Sequence, residues 1–189
     1  VEAERMLDHA IESGVTYIDT AYPYHDGESE PFVGRVLKKY KREDFYLATK
    51  LPIFKIDSLE QAKEIFEEQM KRLDVDYVDF YLLHSLNKDT WKKVIDLNII
   101  PYCEELKKQG RIKNFGFSFH DDYEVFEEII NYRDWDFCQI QLNYIDTDIQ
   151  AGMKGYKLTE EKNVPLVIME PIKGGALASL SDDIEQVFT

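Results

Sequence analysis

The chain has 189 residues, of which 44% are apolar and 32% charged, with 12 Tyr and 11 Phe; that is enough for one hydrophobic core and too aromatic for a disordered chain. Its 37 acidic against 23 basic residues leave a formal charge of −14, which repels phosphate backbones and anionic lipid, so neither nucleic acid nor a membrane is an expected partner. No apolar run approaches the roughly 20 residues of a membrane helix and no signal peptide precedes Val1, so a cytoplasmic protein is expected.

In chain order, Met6, Leu7, Ala10 and Ile11 recur at helical spacing over residues 2–13 and stop at Gly14, a helix terminator. The run 15–20, VTYIDT, predicts a strand, followed by a Gly- and Pro-containing loop and a helix over about 29–40. A second strand is expected at 45–50 (FYLATK), and Ser58 with Gln61 three residues on is a capping-box start for a helix through Leu73. A third strand, YVDFYLLH at 77–84, precedes a helical region that Pro101 interrupts or restarts before Gly110. IKNFGFSF at 112–119 predicts a fourth strand with a helix at 122–131, and FCQIQLNY at 137–144 a fifth. A weaker helix at 148–162 carries Gly152 and Gly155; PLVIMEP at 165–171 is a sixth strand, and 182–188 reads as a further helical turn or two. Cys103 and Cys138 lack a CxxC spacing and the four histidines form no HxxxH pair, which predicts two buried thiols and no metal site.

Six strands alternating with helices predict a parallel sheet covered by helices. A doubly wound sheet carries a glycine-rich turn after its first strand, whereas Asp-Thr-Ala-Tyr-Pro-Tyr stands there in this chain, so the (β/α)8 barrel is the favoured architecture. In a barrel the carboxyl ends of the strands converge on one mouth. Asp19, Lys50 and His84 end the first three apolar runs, and Tyr24 lies just beyond Asp19.

Taken singly, each has an ordinary structural explanation: Asp19 as a cap, Lys50 as a snorkelling surface lysine, His84 in a turn, Tyr24 in packing. Together they form a proton-donating device, in which the Lys50 ammonium stabilises the Tyr24 phenolate and Asp19 holds the lysine. A phenol has a pKa near ~10, and a cation about 4 Å away at an effective dielectric of roughly 20 is worth at most about 4 kcal/mol, enough to bring Tyr24 towards neutral pH. His84 would hydrogen-bond the same substrate oxygen. A lysine at a strand end also suits Schiff-base chemistry, which a neighbouring carboxylate opposes, and a non-catalytic nucleotide-binding or regulatory barrel is the alternative from another class.

GVTYIDTAYPYHDGESEPFVGRVLK, FYLATK, VDFYLLH, IKNFGFSFH and VPLVIMEPIKGGALA together resemble the aldo-keto reductases, over nearly the whole chain. The resemblance implies a (β/α)8 barrel that binds NADP(H) and passes hydride to a small carbonyl substrate, with Tyr24 as proton donor, Lys50 and Asp19 as its tuning pair and His84 orienting the carbonyl. It also implies that Ser118 and Gln139 hold the nicotinamide carboxamide, that Met169 packs on the nicotinamide ring, and that Glu170, Pro171, Ile172, Lys173 and Gly174 form the loop beside the pyrophosphate. Phe119 departs from the asparagine that commonly follows the serine, removing a carboxamide contact. The MEP and KGG pattern is similar to that of members with a ferredoxin-like extension, but no cysteine cluster here supports an iron-sulfur cofactor. The resemblance further predicts a single partial barrel domain over 1–189, lacking the first strand and the C-terminal part, with about six of eight strand-helix units and with open sheet edges suited to self-association.

Overall fold

The computed structural model describes residues 2–178. Six strands form one sheet: Tyr17–Asp19 (β1), Tyr46–Leu51 (β2), Val78–Leu86 (β3), Ile112–Phe119 (β4), Phe137–Gln141 (β5) and Leu166–Met169 (β6). All are parallel and lie in sequence order. Sequential order is the wall of a barrel, whereas a doubly wound sheet reverses at a switch point; the fold is the expected partial (β/α)8 architecture. The helices are Glu2–Glu12 (α1), Ser29–Leu37 (α2), Leu59–Leu73 (α3), Lys88–Asp96 (α4), Ile99–Lys108 (α5), Tyr123–Asn131 (α6) and Gly152–Glu161 (α7).

Strand alternation gives the sheet two chemically different faces. Ile18, Leu47, Leu51, Tyr81, Leu83, Phe115, Phe117, Phe119, Cys138 and Ile140 point outward into the main core with the helices, where Phe66, Trp91, Phe126 and Trp135 pack against them. The opposite face carries a smaller layer of Ala48, Leu82 and Phe137, edged by Tyr17, Phe80 and Val167, with Phe80 centred 5.0 Å from Phe137 and 5.2 Å from Tyr17. Gly116 lies in this layer because a Cβ there would stand 2.6 Å from the Phe137 ring. Both cysteines are buried.

Several element boundaries differ from the sequence reading for identifiable reasons. The helical region after β3 restarts at Asn98, which takes a left-handed φ of 59°, not at Pro101; Pro101 sits in the first turn of α5, where its missing N–H has no intrahelical acceptor to lose. β5 stops at Gln141 because the Asn143 side chain accepts from the amides of Ile145 (3.0 Å) and Asp146 (2.9 Å), turning the chain out of the sheet. α7 starts at Gly152, held left-handed at φ 52°, and Glu170 at φ 56° terminates β6. Ser58 caps α3 through the Gln61 amide as expected, but Gln61 returns its side chain to the amide of Asp57, one residue earlier than a capping box requires. The helical turn expected at 182–188 lies outside the described residues.

Candidate active site

Lys50 is the penultimate residue of β2, and alternation turns it to the inner face, where it is 1% exposed. A snorkelling surface role is thereby ruled out, and a buried amine requires partners. Its Nζ donates to Asp19 Oδ1 at the end of the neighbouring β1 and to the Thr20 carbonyl at 2.9 Å, and it lies 3.3 Å from the Tyr24 hydroxyl. Tyr24 opens a short 3-10 turn, Tyr24–Gly27, in which His25 and Asp26 both take left-handed backbone; this turn delivers the phenol back over the strand end. Tyr24 is 38% exposed, so its hydroxyl stands between a buried ammonium and the open mouth.

His84 reaches the same mouth through a feature the sequence reading missed. β3 continues to Leu86, and between Leu83 and Leu86 the register against β4 shifts, so His84 and Ser85 together oppose the single residue Ser118. Ser85 has φ 57°, and its amide donates to Ser118 Oγ at 2.8 Å. This bulge re-aims His84, and the reciprocal cap between Asn87 and Thr90 fixes the chain immediately after it. The His84 ring lies edge-on to Tyr24, centroids 5.6 Å apart, with Phe54 tilted at the same distance on another side. Burial, with the charges of Lys50 and His120 nearby, pushes the His84 pKa down to about 3, so the ring is neutral at pH 7, and its Nδ1 is buried without a hydrogen-bond partner.

The residues expected to hold a cofactor lie on the next strands. Ser118 and Gln139 are register partners on β4 and β5, both buried, and Met169 is the register partner of Gln141 at the end of β6. Phe119 turns outward and packs on Phe126 at 5.2 Å, so its departure from asparagine affects the core and not the inner face. Glu170, Pro171, Ile172, Lys173 and Gly174 form an exposed loop; Lys173 Nζ pairs with Asp146 at 2.9 Å, which holds the Asp146 carboxyl below its ordinary range. Asn143 ties the same loop down, donating to Asp146 (3.0 Å) and to the Glu170 carbonyl (3.5 Å). Gln141, Asn143, Asp146 and Phe54 were not singled out from sequence; Gln141, two residues from Gln139 and so on the same face of a strand, is the one whose placement the spacing carried.

A family profile described as "Aldo/keto reductase family" matches residues 1–189. The chain belongs to the aldo/keto reductase family. Among curated relatives of this aldo/keto reductase chain, the NADH-specific methylglyoxal reductase of Escherichia coli is 26% identical over 202 residues, covering 94% of the chain and 59% of the relative. Among solved structures, the holo form of the aldo-keto reductase AKR11C1 from Bacillus halodurans is 30% identical with a TM-score of 0.76, covering 95% of the chain and 61% of that protein. The aldo-keto reductase from Klebsiella pneumoniae in complex with NADPH is 25% identical with a TM-score of 0.70, covering 97% and 66%. The chain therefore spans less than two thirds of the length of each of these proteins.

Proposed function

We propose that this chain carries the catalytic mouth of a nicotinamide-dependent reductase that converts an aldehyde or ketone to the alcohol, with Tyr24 as proton donor. The observation that carries the reading is the buried Lys50 amine, shared between Asp19 and the Tyr24 hydroxyl at the carboxyl ends of adjacent strands. A reduced nicotinamide held at this mouth would supply the hydride for the carbonyl carbon. Tyr24 gives its phenolic proton to the carbonyl oxygen, and the ammonium 3.3 Å away stabilises the phenolate left behind. His84, neutral, hydrogen-bonds the same oxygen and orients the carbonyl without competing as an acid. Asp19 and the Thr20 carbonyl fix the amine so that it faces the phenol.

The inner ends of β4 and β5 fit a nicotinamide carboxamide. Ser118 accepts from the Ser85 amide and keeps its own proton to donate, Gln139 stands beside it, and Gln141 Oε1 is a buried acceptor without a hydrogen-bond partner, the kind of group an amide N–H satisfies. Met169 offers a polarizable face to the ring, and the loop Glu170–Ile172 with Lys173 and Gly174 supplies the contacts beside the pyrophosphate. We assign NADP(H), supported by the family resemblance and the NADPH-bound Klebsiella neighbour; the NADH-specific Escherichia coli relative makes NADH the competitor to be titrated. Schiff-base chemistry at Lys50 fits less well, because the amine is already engaged by three oxygens and is closed to solvent.

The deciding experiment compares the wild-type chain with Tyr24→Phe, following nicotinamide fluorescence on titration with NADPH and NADH and turnover over a panel of aldehydes and ketones. Tyr24→Phe is expected to bind nucleotide as wild type does and to lose at least about 100-fold in kcat. Undiminished turnover in the variant removes Tyr24 as the acid; nucleotide binding by wild type with no turnover over the panel replaces the reductase by a nucleotide-binding protein.

A further inference from the structure

Behind the mouth, on the helix side of β2, lies a buried polar chain that the reaction does not use. Glu30 on α2 and Gln69 on α3 are both 0% exposed. Gln69 Nε2 donates to the backbone carbonyl of Lys50 at 3.0 Å and to Glu30 Oε1 at 2.9 Å, while its Oε1 accepts from the Tyr81 hydroxyl at 2.8 Å. The Thr49 hydroxyl donates to the same Glu30 oxygen at 2.6 Å. Three residues further along α3, and so on the same helix face, Arg72 sits 3.6 Å from the other carboxylate oxygen, Glu30 Oε2. Arg72 donates to the Tyr22 carbonyl at 3.4 Å, covers the Tyr22 ring at 4.2 Å, and pairs with Glu68 at 2.6 Å, which in turn accepts from the Tyr22 hydroxyl at 2.7 Å.

One carboxylate thus reaches in two directions. Its Oε1 is bonded through Gln69 to the peptide of Lys50, and its Oε2 faces, through Arg72, the peptide two residues before Tyr24. Burying a carboxylate opposes its charge, and burial raises the Glu30 pKa against the pull of Thr49, Gln69 and Arg72; an apolar side chain would fill the site at lower electrostatic cost. A packing role alone does not require a charged group linked through Gln69 to the Lys50 peptide and through Arg72 to the Tyr22 peptide.

We propose that Glu30, with Gln69 and Arg72, is a positioning clamp that sets the separation of the Lys50 amine and the Tyr24 hydroxyl from behind the sheet. The clamp rests on the assignment of Lys50 and Tyr24 as the reacting pair, and its logic is that small displacements of reacting groups have large effects on the chemical step. The test uses Glu30→Gln, Arg72→Met and the double variant, with three readouts: nucleotide Kd from fluorescence, kcat and KM at saturating cofactor, and the side-chain carbon NMR signal of Lys50 in lysine-labelled protein, assigned through Lys50→Met. Each single variant is expected to lower kcat about ten- to a hundredfold with Kd and KM within about twofold of wild type. Because the two residues act as one unit, the double variant is expected to lose no more than the worse single, and the Lys50 signal is expected to move in all three.

Wild-type kcat in folded variants, or losses that multiply in the double, overturn the clamp and leave Glu30 a packing residue. If Glu30→Gln does not fold, Arg72→Met, whose native side chain is 22% exposed, carries the test alone. If the wild-type chain reduces no carbonyl, the reductase reading fails, and the NMR readout still decides: a Lys50 signal unmoved by Arg72→Met overturns the clamp, and a moved signal supports it.

Discussion

A lysine amine that is 1% exposed exists in a fold only if its desolvation is offset by its neighbours, and at Lys50 the offset comes from a carboxylate, a backbone carbonyl and a phenol on two adjoining segments. Removing the amine but keeping the stem, as Lys50→Met does, relieves desolvation and leaves Asp19, whose side chain is 28% exposed, free to hydrate. Lys50→Met is therefore expected to fold with a urea midpoint near that of wild type while losing at least about 100-fold in kcat; a marked drop in the midpoint with kcat retained counts against the assigned role. His84 yields a pH prediction. In the unfolded chain a histidine takes its proton near pH ~6.5, whereas the folded one does so only near about 3. Between those values the unfolded state binds more protons, so the contribution of His84 to stability is complete above the unfolded value and is lost as pH falls towards the folded one. Its ring carbon NMR signals should stay at neutral-imidazole positions down to about pH 4.5, and His84→Asn should lose less stability than wild type on acidification from about pH 7 to about pH 4.5. A His84 titration near the ordinary histidine value disproves the burial argument.

At the scale of elements, one close backbone approach decides how α2 meets α3. A Cβ on Gly34 would stand 2.6 Å from the Leu73 carbonyl oxygen and 2.7 Å from that of Arg72, both backbone atoms that cannot swing aside. Gly34→Ala must therefore push α2 away from the end of α3, costing about 1–3 kcal/mol, seen as a lower urea midpoint with an unchanged m value; an unchanged midpoint shows that the crossing is looser than it looks. Elements of this length were legible in the sequence wherever one local rule governed them. The fourth strand matches its predicted bounds at 112–119 because Phe115, Phe117 and Phe119 alternate up to its end and Gly110 stands just before its start. The mouth was legible for the same reason: Asp19, Lys50 and His84 each follow a hydrophobic run, and a parallel strand gives its last residues one destination. What escaped was set by contacts distant in sequence. The bulge at His84–Ser85 depends on a hydroxyl 33 residues away at Ser118, and the early end of β5 depends on a side chain that bonds its own backbone. The pairing of Glu30 with Gln69 spans 39 residues, so no local pattern announced it.

Over the whole molecule, the inner face and the sheet edges are where charge and hydrophobicity compete. Among the described residues β1 pairs only with β2, and β6 only with β5, so both edges present backbone groups able to pair with another strand. Beside β1 runs a cleft of about 530 Å³ lined by Leu7, Ile18, Phe32 and Val33, and on the inner face Tyr46 is 56% exposed. Against association stands the net charge of −14, a repulsion that reaches about 30 Å at 0.01 M ionic strength and only about 3 Å at 1 M. The range of that repulsion exceeds the width of an edge strand at low salt and falls below it at high salt, whereas apolar contact and strand pairing are not weakened by salt. The chain is therefore expected to sediment as a monomer at low ionic strength and to associate as salt is raised. Val167→Lys, which places a charge in the middle of the edge strand β6, is expected to shift that onset to higher salt if β6 is the edge engaged. Sedimentation velocity across the salt series checks both statements: a monomer at every ionic strength shows that neither edge is available for pairing, and association that declines with salt shows that ion pairs between copies, not strand edges, hold them together.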